Sequence, residues 1–112
     1  MKKVEAIIRK SKFNEVVEAL QAVEVNFFSY WDVTGVGNEK IGNVYRGITY
    51  STKDIPRRCL SIIVSDSFVD ATVDAIIKSG ATGEVGDGKV FVLPCEEAYR
   101  IRTGEKGNKS IN

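Results

Sequence analysis

The chain has 112 residues, enough for one globular domain, and its 43% hydrophobic and 28% charged residues are ordinary for such a domain. The net charge of +1 gives no sign of a nucleic-acid-binding surface, and the absence of histidine removes the commonest general base, so hydrolase-type catalysis is not expected. No apolar run approaches the length of a signal-peptide core or a membrane span. We therefore expect a cytoplasmic protein without membrane insertion.

The two cysteines, Cys59 and Cys95, each lie within an apolar run. A disulfide framework or a zinc site would need more ligands at closer spacing. We therefore expect both cysteines to be buried free thiols and no metal site formed by the protein alone.

The first half of the chain predicts a strand, a helix and a second strand. Residues 2–9 alternate in polarity as in a half-buried strand. Apolar residues at helical spacing predict a helix next, and Ser11 is placed to cap its first turn. Residues 27–35 are rich in aromatic and β-branched side chains, which favour a second strand.

The second half predicts a strand, a helix and a strand again, in the same order as the first half. Residues 58–64 predict a third strand, and Ser67 begins a second helix that ends just before Gly80. Residues 89–93 predict a fourth strand. The order β-α-β-β-α-β, with both helices on one face of an antiparallel sheet, predicts a ferredoxin-like α+β fold over residues 1–112 as a single domain.

The connection between the second and third strands, residues 35–56, is longer than neighbouring strands need. It contains Val44, Tyr45, Ile48 and Tyr50, so it is not a polar linker. One interpretation is an extended hairpin that packs its own aromatic side chains. The favoured interpretation is an interaction loop that becomes ordered on a partner or ligand and is disordered or variable in the free protein.

A glycine-rich segment, residues 82–89, connects the second helix to the fourth strand. The spacing from Gly83 to Gly88 and Lys89 matches most of a P-loop, but Val90 stands where a magnesium-binding Ser or Thr would be needed. The order helix-loop-strand is also the reverse of that motif. Converging backbone N–H groups and one lysine still indicate a site for an anion.

Two arginines near the C-terminus, Arg100 and Arg102, alternate with Ile101. In an extended segment they would lie on the same side and grip phosphate oxygens together. Combined with the glycine-rich segment, they predict a phosphate-binding site.

Several segments resemble the P-II nitrogen-regulatory family, and the resemblance extends over nearly the whole chain. They are MKKVEAIIR at the start, Tyr45-Arg46-Gly47-x-x-Tyr50, GEVGDGKVFVLP at residues 83–94 and EEAYRIRTGEKG at residues 96–107. The resemblance implies a homotrimer that binds ATP or ADP in three clefts between subunits. It also implies that the long loop, the T-loop of about residues 36–56, docks onto target proteins, most notably ammonium transporters, which would recruit the protein to the membrane.

The family's functional residues can be carried onto matching positions of this chain. The resemblance implies a phosphate-cradling loop within residues 82–89 formed by Gly86, Asp87, Gly88 and Lys89, and phosphate ligands in the C-terminal segment, residues 96–112, at Arg100 and Arg102. It places Ser29 near the adenine, and Gly35 and Gly37 at the base of the T-loop close to the nucleotide. It further implies that Arg46 reaches into a transporter pore and that Tyr50 is a candidate uridylylation site.

The chain departs from the family pattern at the expected effector site. The family's Lys-Pro-Phe-Lys after the first strand is Arg9-Lys10-Ser11-Lys12, Glu39 replaces a Gln that helps hold magnesium with 2-oxoglutarate, and Arg57 replaces the lysine that pairs with 2-oxoglutarate. A carboxylate at residue 39 can ligate magnesium with ATP but opposes a dicarboxylate on the same ion. We therefore expect weak or absent 2-oxoglutarate binding.

Three alternatives remain open from the sequence. The first is a related sensor of another small anion, such as bicarbonate, or of adenine nucleotide alone. The second is an RNA-binding ferredoxin-like domain, which the segment KVFVL and the near-zero net charge disfavour. The third is an enzyme, for which we expect at most weak ATPase activity in a protein that is otherwise a regulatory binding protein.

Overall fold

The computed structural model describes residues 1–37, 39–44, 47–51 and 54–111, and residues 39–44 and 47–51 are described by their backbone. The strands and helices follow one another as β1 (Lys2–Ile8), α1 (Phe13–Ala22), β2 (Ser29–Gly35), β3 (Glu39–Val44), β4 (Gly47–Ser51), β5 (Ile55–Val64), α2 (Val69–Gly80) and β6 (Gly88–Pro94). Most predicted elements are therefore present, with boundaries shifted by a few residues.

The main sheet has four antiparallel strands in the order β2-β5-β1-β6. The first and last strands of the domain are neighbours, so Ala6 of β1 is paired with Leu60 on one side and with Val90 on the other. This order and the two helices confirm the ferredoxin-like α+β fold. No helix in the described part of the chain is both long enough and apolar enough to cross a bilayer.

One face of the sheet forms the core with the two helices. Val4, Ala6 and Ile8 alternate along β1 and are buried together with apolar side chains of β5 and of both helices. Val16 and Leu20 of α1 are fully buried in the same cluster. The period of two along the strand sends the residues between these positions to the opposite face.

This opposite face, which we call the open face, has no helix against it. Glu5 lies at its centre, paired with Ser61 of β5 and Phe91 of β6. Phe91, Leu93 and Trp31 on this face are all exposed. Because large apolar side chains clustered on a surface mark an interaction site, the open face is a candidate interface.

The predicted helix caps are wrong. A single 3-10 turn precedes each helix, over Lys10–Lys12 and over Asp66–Phe68, and neither Ser11 nor Ser67 caps a helix with its side chain. The turns bring early N–H groups to backbone carbonyls, as in the bond from Lys12 N–H to the Arg9 carbonyl. The chain therefore enters each helix through backbone hydrogen bonds rather than a side-chain cap.

The long connection contains a hairpin of its own. Strands β3 and β4 form a separate two-stranded antiparallel sheet, whose register shifts between Lys40 and Asn43. These strands agree with the interpretation of the segment as an extended hairpin, and its disorder or variability in the free protein stays a prediction. Whether the aromatic side chains pack on one another lies outside the described residues, as do residues 45 and 46.

The two cysteines differ in their surroundings. Cys59 is buried, as predicted, whereas Cys95 at the end of β6 is partly exposed, so the prediction of a buried thiol is wrong there. Burial raises the pKa of the Cys59 thiol, and the nearby Glu5 carboxylate raises it further. Cys59 therefore stays protonated at neutral pH.

Candidate nucleotide-binding site

The glycine-rich segment between α2 and β6 is held together by the carboxylate of Asp87. This carboxylate accepts hydrogen bonds from the backbone N–H groups of Thr82 at 2.8 Å and Gly83 at 2.9 Å, and from the Thr82 hydroxyl. It also accepts a bond of 2.9 Å from Nε of Arg9. Both oxygens are therefore committed within the protein, which makes Asp87 a residue that shapes the loop.

The charge of Asp87 follows from these contacts. Burial alone would raise its pKa, but the hydrogen bonds from Thr82, Arg9 and Gly83 outweigh it and hold the pKa well below the usual range of a carboxyl group. Asp87 is therefore ionised across the physiological pH range.

Two arginines contact successive carbonyls of the same loop. Nη2 of Arg9 donates to the Val85 carbonyl at 2.9 Å. Arg57 donates to the Gly86 carbonyl from Nε at 3.0 Å and Nη2 at 2.7 Å, and Nη1 contacts the Pro56 carbonyl at 2.7 Å. No sequence motif assigns Arg9 to the loop. The signal available for it was topological, because the pairing of β1 with β6 sets the residue after Ile8 beside the residue before Gly88.

The loop requires glycine at particular positions. Gly83, Gly86 and Gly88 all have positive φ, between 86° and 103°, a conformation that L side chains rarely adopt. At Gly88 a Cβ atom would lie 1.7 Å from the carbonyl oxygen of Ile7. Gly88 is therefore required by the approach of β6 to β1, whatever the loop binds.

Most of the predicted nucleotide-binding residues line two separate clefts in one chain. The first, which we call the loop cleft, is an open cavity with a volume of about 510 Å³. Its walls include Gly35, Gly37, Arg57, Gly86, Gly88 and Lys89. The base of the long connection and the glycine-rich loop therefore lie together.

The second cleft, which we call the arginine cleft, is the larger of the two, with about 690 Å³ against about 510 Å³ for the loop cleft. It is lined by Ser29, Arg100 and Arg102 together with Phe27, Phe28, Ser61, Ile63, Ser110 and Ile111. The hydroxyls of Ser29 and Ser61 lie on paired positions of β2 and β5. This cleft therefore combines two cations with a partly apolar wall.

The segment that carries the two arginines is a turn, so the predicted extended conformation is wrong. The Gly104 N–H donates to the Arg100 carbonyl at 2.7 Å, the Arg100 N–H donates to the Glu105 carbonyl at 2.8 Å, and Tyr99 pairs with Lys106. The turn still brings both arginines to the same cleft and leaves Ile101 fully exposed between them.

The two clefts lie at opposite ends of β2. Ser29 begins this strand beside the arginine cleft, and Gly35 ends it beside the loop cleft. A strand rises by about 3.3 Å per residue, so the two ends are roughly 20 Å apart. Within one chain, the structure therefore does not bring Arg100 and Arg102 to Lys89.

The comparisons with known proteins agree with this fold. The family model described as nitrogen regulatory protein P-II matches residues 1–105. The chain belongs to the P-II family. It is 43% identical to a nitrogen regulatory protein P-II of Cereibacter sphaeroides and 42% identical to one of Azospirillum brasilense, with 99% of this chain and 100% of each relative covered. A nitrogen regulatory protein P-II 2 of Methanothermobacter thermautotrophicus is 41% identical, with 97% of its length covered.

The remaining predicted residues of this P-II family member lie in or next to the hairpin. Glu39 begins β3 and Tyr50 lies in β4, but their side chains, and the whole of Arg46, lie outside the described residues. Arg57, the predicted effector ligand, is only 9% exposed and directs its guanidinium group to the glycine-rich loop. Among the described residues, no group of three or more carboxylates or cysteines lies close enough together to hold a metal ion.

Proposed function

We propose that this P-II family member is a nitrogen-signalling regulator that binds ATP or ADP in clefts between the subunits of a homotrimer. The observation that carries the proposal is the separation of the predicted phosphate ligands into two clefts at opposite ends of β2. A second subunit can bring the arginine cleft of one chain to the loop cleft of the next. The relatives named nitrogen regulatory proteins support a regulatory role rather than an enzymatic one.

The chemistry of the two clefts suits a nucleotide polyphosphate. Lys89 in the loop cleft and Arg100 and Arg102 in the arginine cleft supply three cations, and the glycine-rich loop adds backbone donors. The arginine cleft also offers the Ser29 and Ser61 hydroxyls beside apolar side chains, which suit a purine base. ATP would supply the negative charge, and magnesium near Glu39 would accompany it.

The open face supports assembly of several chains. Trp31, Phe91 and Leu93 are exposed on it in the single chain, and burying them would favour association. In a closed trimer, each chain would use this face against its neighbours, which leaves the two helices outside.

The hairpin of β3 and β4 is the segment that we propose contacts target proteins. It forms a sheet separate from the main one, so a partner can reach it without disturbing the core. An ammonium transporter is the partner that we propose, with Arg46 as its anchor, and binding would recruit the protein to the membrane.

An alternative is a sensor of adenine nucleotide alone or of another small anion such as bicarbonate. The observation that favours it is the commitment of Arg57 to the Gly86 and Pro56 carbonyls, which occupies donors that a dicarboxylate would need. Calorimetric titration of the magnesium–ATP form with 2-oxoglutarate and with bicarbonate distinguishes the two. Tight 2-oxoglutarate binding that Glu39→Gln does not change would contradict our expectation.

Calorimetry with ATP and ADP tests the nucleotide site. Each charge-assisted contact with phosphate contributes about 1.5–3 kcal/mol, so Lys89→Ala and Arg102→Ala should each weaken binding by roughly ten- to a hundredfold. Lys78→Ala, which removes an exposed lysine of α2 that lines neither cleft, is the control for loss of charge. Wild-type affinity in Arg102→Ala would show that the proposed cleft is wrong.

A further inference from the structure

Two successive peptide groups of the glycine-rich loop are held by arginines from two different strands. Arg9, just after β1, contacts the Val85 carbonyl, and Arg57, near the start of β5, contacts the Gly86 carbonyl with two nitrogens. Arg9 is additionally paired with the Asp87 carboxylate, which in turn accepts bonds from the Thr82 end of the loop. The loop is thus fixed from three directions.

These contacts determine where two backbone donors point. In a trans peptide the N–H and the C=O of the same peptide group point in opposite directions. The Val85 carbonyl belongs to the same peptide group as the Gly86 N–H, and the Gly86 carbonyl to that of the Asp87 N–H. The Gly86 N–H has no hydrogen-bond partner among the described residues, whereas the Asp87 N–H lies at the end of the turn formed by Val85 and Gly86.

We propose that Arg9 and Arg57 are positioning residues for nucleotide binding, which hold the loop so that the Gly86 N–H group is oriented as a donor for a phosphate, with Asp87 fixing Arg9. The inference rests on the proposed nucleotide binding and adds Arg9, which the sequence did not assign. It also gives Arg57 a role in the nucleotide site and makes Asp87 a positioning residue rather than a phosphate ligand. An acceptor-only carboxylate could not bind phosphate oxygens in any case.

The substitution Asp87→Asn distinguishes this positioning role from a simple effect of charge, because the two predict opposite changes in ATP affinity. Removing a negative charge close to bound phosphate would tighten ATP binding if charge alone mattered. If Asp87 fixes Arg9 and the loop, the substitution should weaken ATP binding by about tenfold or more. Calorimetry with ATP and ADP measures the change. Unchanged or tighter binding by Asp87→Asn would overturn the proposal.

The arginines are tested in the same assay with a matched control. Arg9→Ala and Arg57→Ala should each weaken ATP binding, and Arg9→Lys should recover part of the loss. Arg58→Ala removes an identical charge, but Arg58 is paired with Asp32 at 2.8 Å, so ATP affinity should not change. The double variant Arg9→Ala/Asp87→Asn should bind little worse than either single variant, because the two side chains act as one unit. If the losses of ATP binding free energy in the two single variants added up fully in the double variant, Arg9 and Asp87 would not act as one unit.

Backbone amide resonances provide a readout without nucleotide. We expect the Gly86 and Asp87 amide signals to shift in ligand-free Arg9→Ala and Arg57→Ala and to stay in place in Arg58→Ala. Unmoved signals in the arginine variants would overturn the positioning role even if affinity fell. If the wild-type protein bound neither ATP nor ADP, the proposed function would fail instead, and the amide shifts would still report whether the arginines orient the loop.

Discussion

Gly88 has a structural role that its place in a phosphate-binding motif conceals. Its φ is 103°, and a Cβ atom there would meet the Ile7 carbonyl oxygen at 1.7 Å. Gly35, assigned to the same predicted site, has nothing within 4 Å of such an atom. Of these two glycines of one predicted site, Gly88 is therefore required by backbone geometry, whereas no contact within the single chain requires Gly35.

The contrast predicts different effects of the same substitution. Gly88→Ala should lower the free energy of unfolding by at least about 2 kcal/mol, because it combines an unfavourable φ with a backbone clash. Gly35→Ala should change it by less than about 0.5 kcal/mol. Urea denaturation of both variants measures the difference, and equal losses of stability would contradict this explanation.

Acid pH should weaken the fold through two carboxyl groups. The hydrogen bond from Arg58 lowers the pKa of Asp32, and Lys10 lowers it further. At Asp87, the hydrogen bonds to the carboxylate outweigh the effect of burial and lower the pKa of that group as well. Groups with lowered pKa values stabilise the folded state above the unfolded pKa of about 3.9, and this contribution is lost as the pH falls through the folded value. Thermal denaturation from pH 7 downward should therefore show stability falling below about pH 4. The stability of the Asp87→Asn protein should fall less steeply in this pH range than that of the wild type. Parallel stability curves for the two proteins would contradict the role of Asp87.

At the scale of elements, the hairpin differs most from the strands of the main sheet. Two-stranded hairpins are marginally stable in water, and β3 and β4 pair only with each other among the described strands. We expect their amides to exchange with solvent faster than those of β1 and β5, which are paired on both sides. Hydrogen exchange followed by mass spectrometry tests this, and equal protection of both sets would show that other contacts stabilise the hairpin.

The sequence predicts the main sheet and the helices well because apolar periodicity reports burial directly. It misplaces the helix starts because a 3-10 turn uses backbone carbonyls and leaves no side-chain signature. It also misses the turn after Tyr99, where backbone bonds between Arg100 and Glu105 override the alternation of side chains. Local patterns carry little information about such backbone hydrogen bonds.

The candidate site was predictable to a similar degree. Short motifs identify the glycine-rich loop and the two arginines, but not the distance between them, which depends on the length of β2 between Ser29 and Gly35. They also miss Arg9, because its contacts with Asp87 join residues that are 78 positions apart in the chain. Such contacts depend on the order of strands in the sheet.

At the scale of the whole molecule, the open face should govern assembly. Phe91→Asp places a charge on an open-face residue that is 45% exposed in the single chain, and it should convert the proposed trimer to smaller species. Ile77→Asp, at a position of α2 that is 53% exposed, is the control and should leave the trimer intact. Light scattering coupled to gel filtration measures the mass, and a trimeric Phe91→Asp protein would contradict this role of the face.

The roughly 20 Å that β2 sets between its two ends has a genetic consequence. If three chains close a ring as proposed, a chain lacking Lys89 and a chain lacking Arg102 are each inactive alone. In any ring that mixes them, one boundary joins an intact Lys89 to an intact Arg102. Co-expressed Lys89→Ala and Arg102→Ala chains should therefore complement each other and regain one tight nucleotide site per mixed ring. Mixed rings can be isolated with two different affinity tags, and calorimetry on them measures the recovered nucleotide binding. If no binding were recovered, Lys89 and Arg102 would have to belong to a site within a single chain.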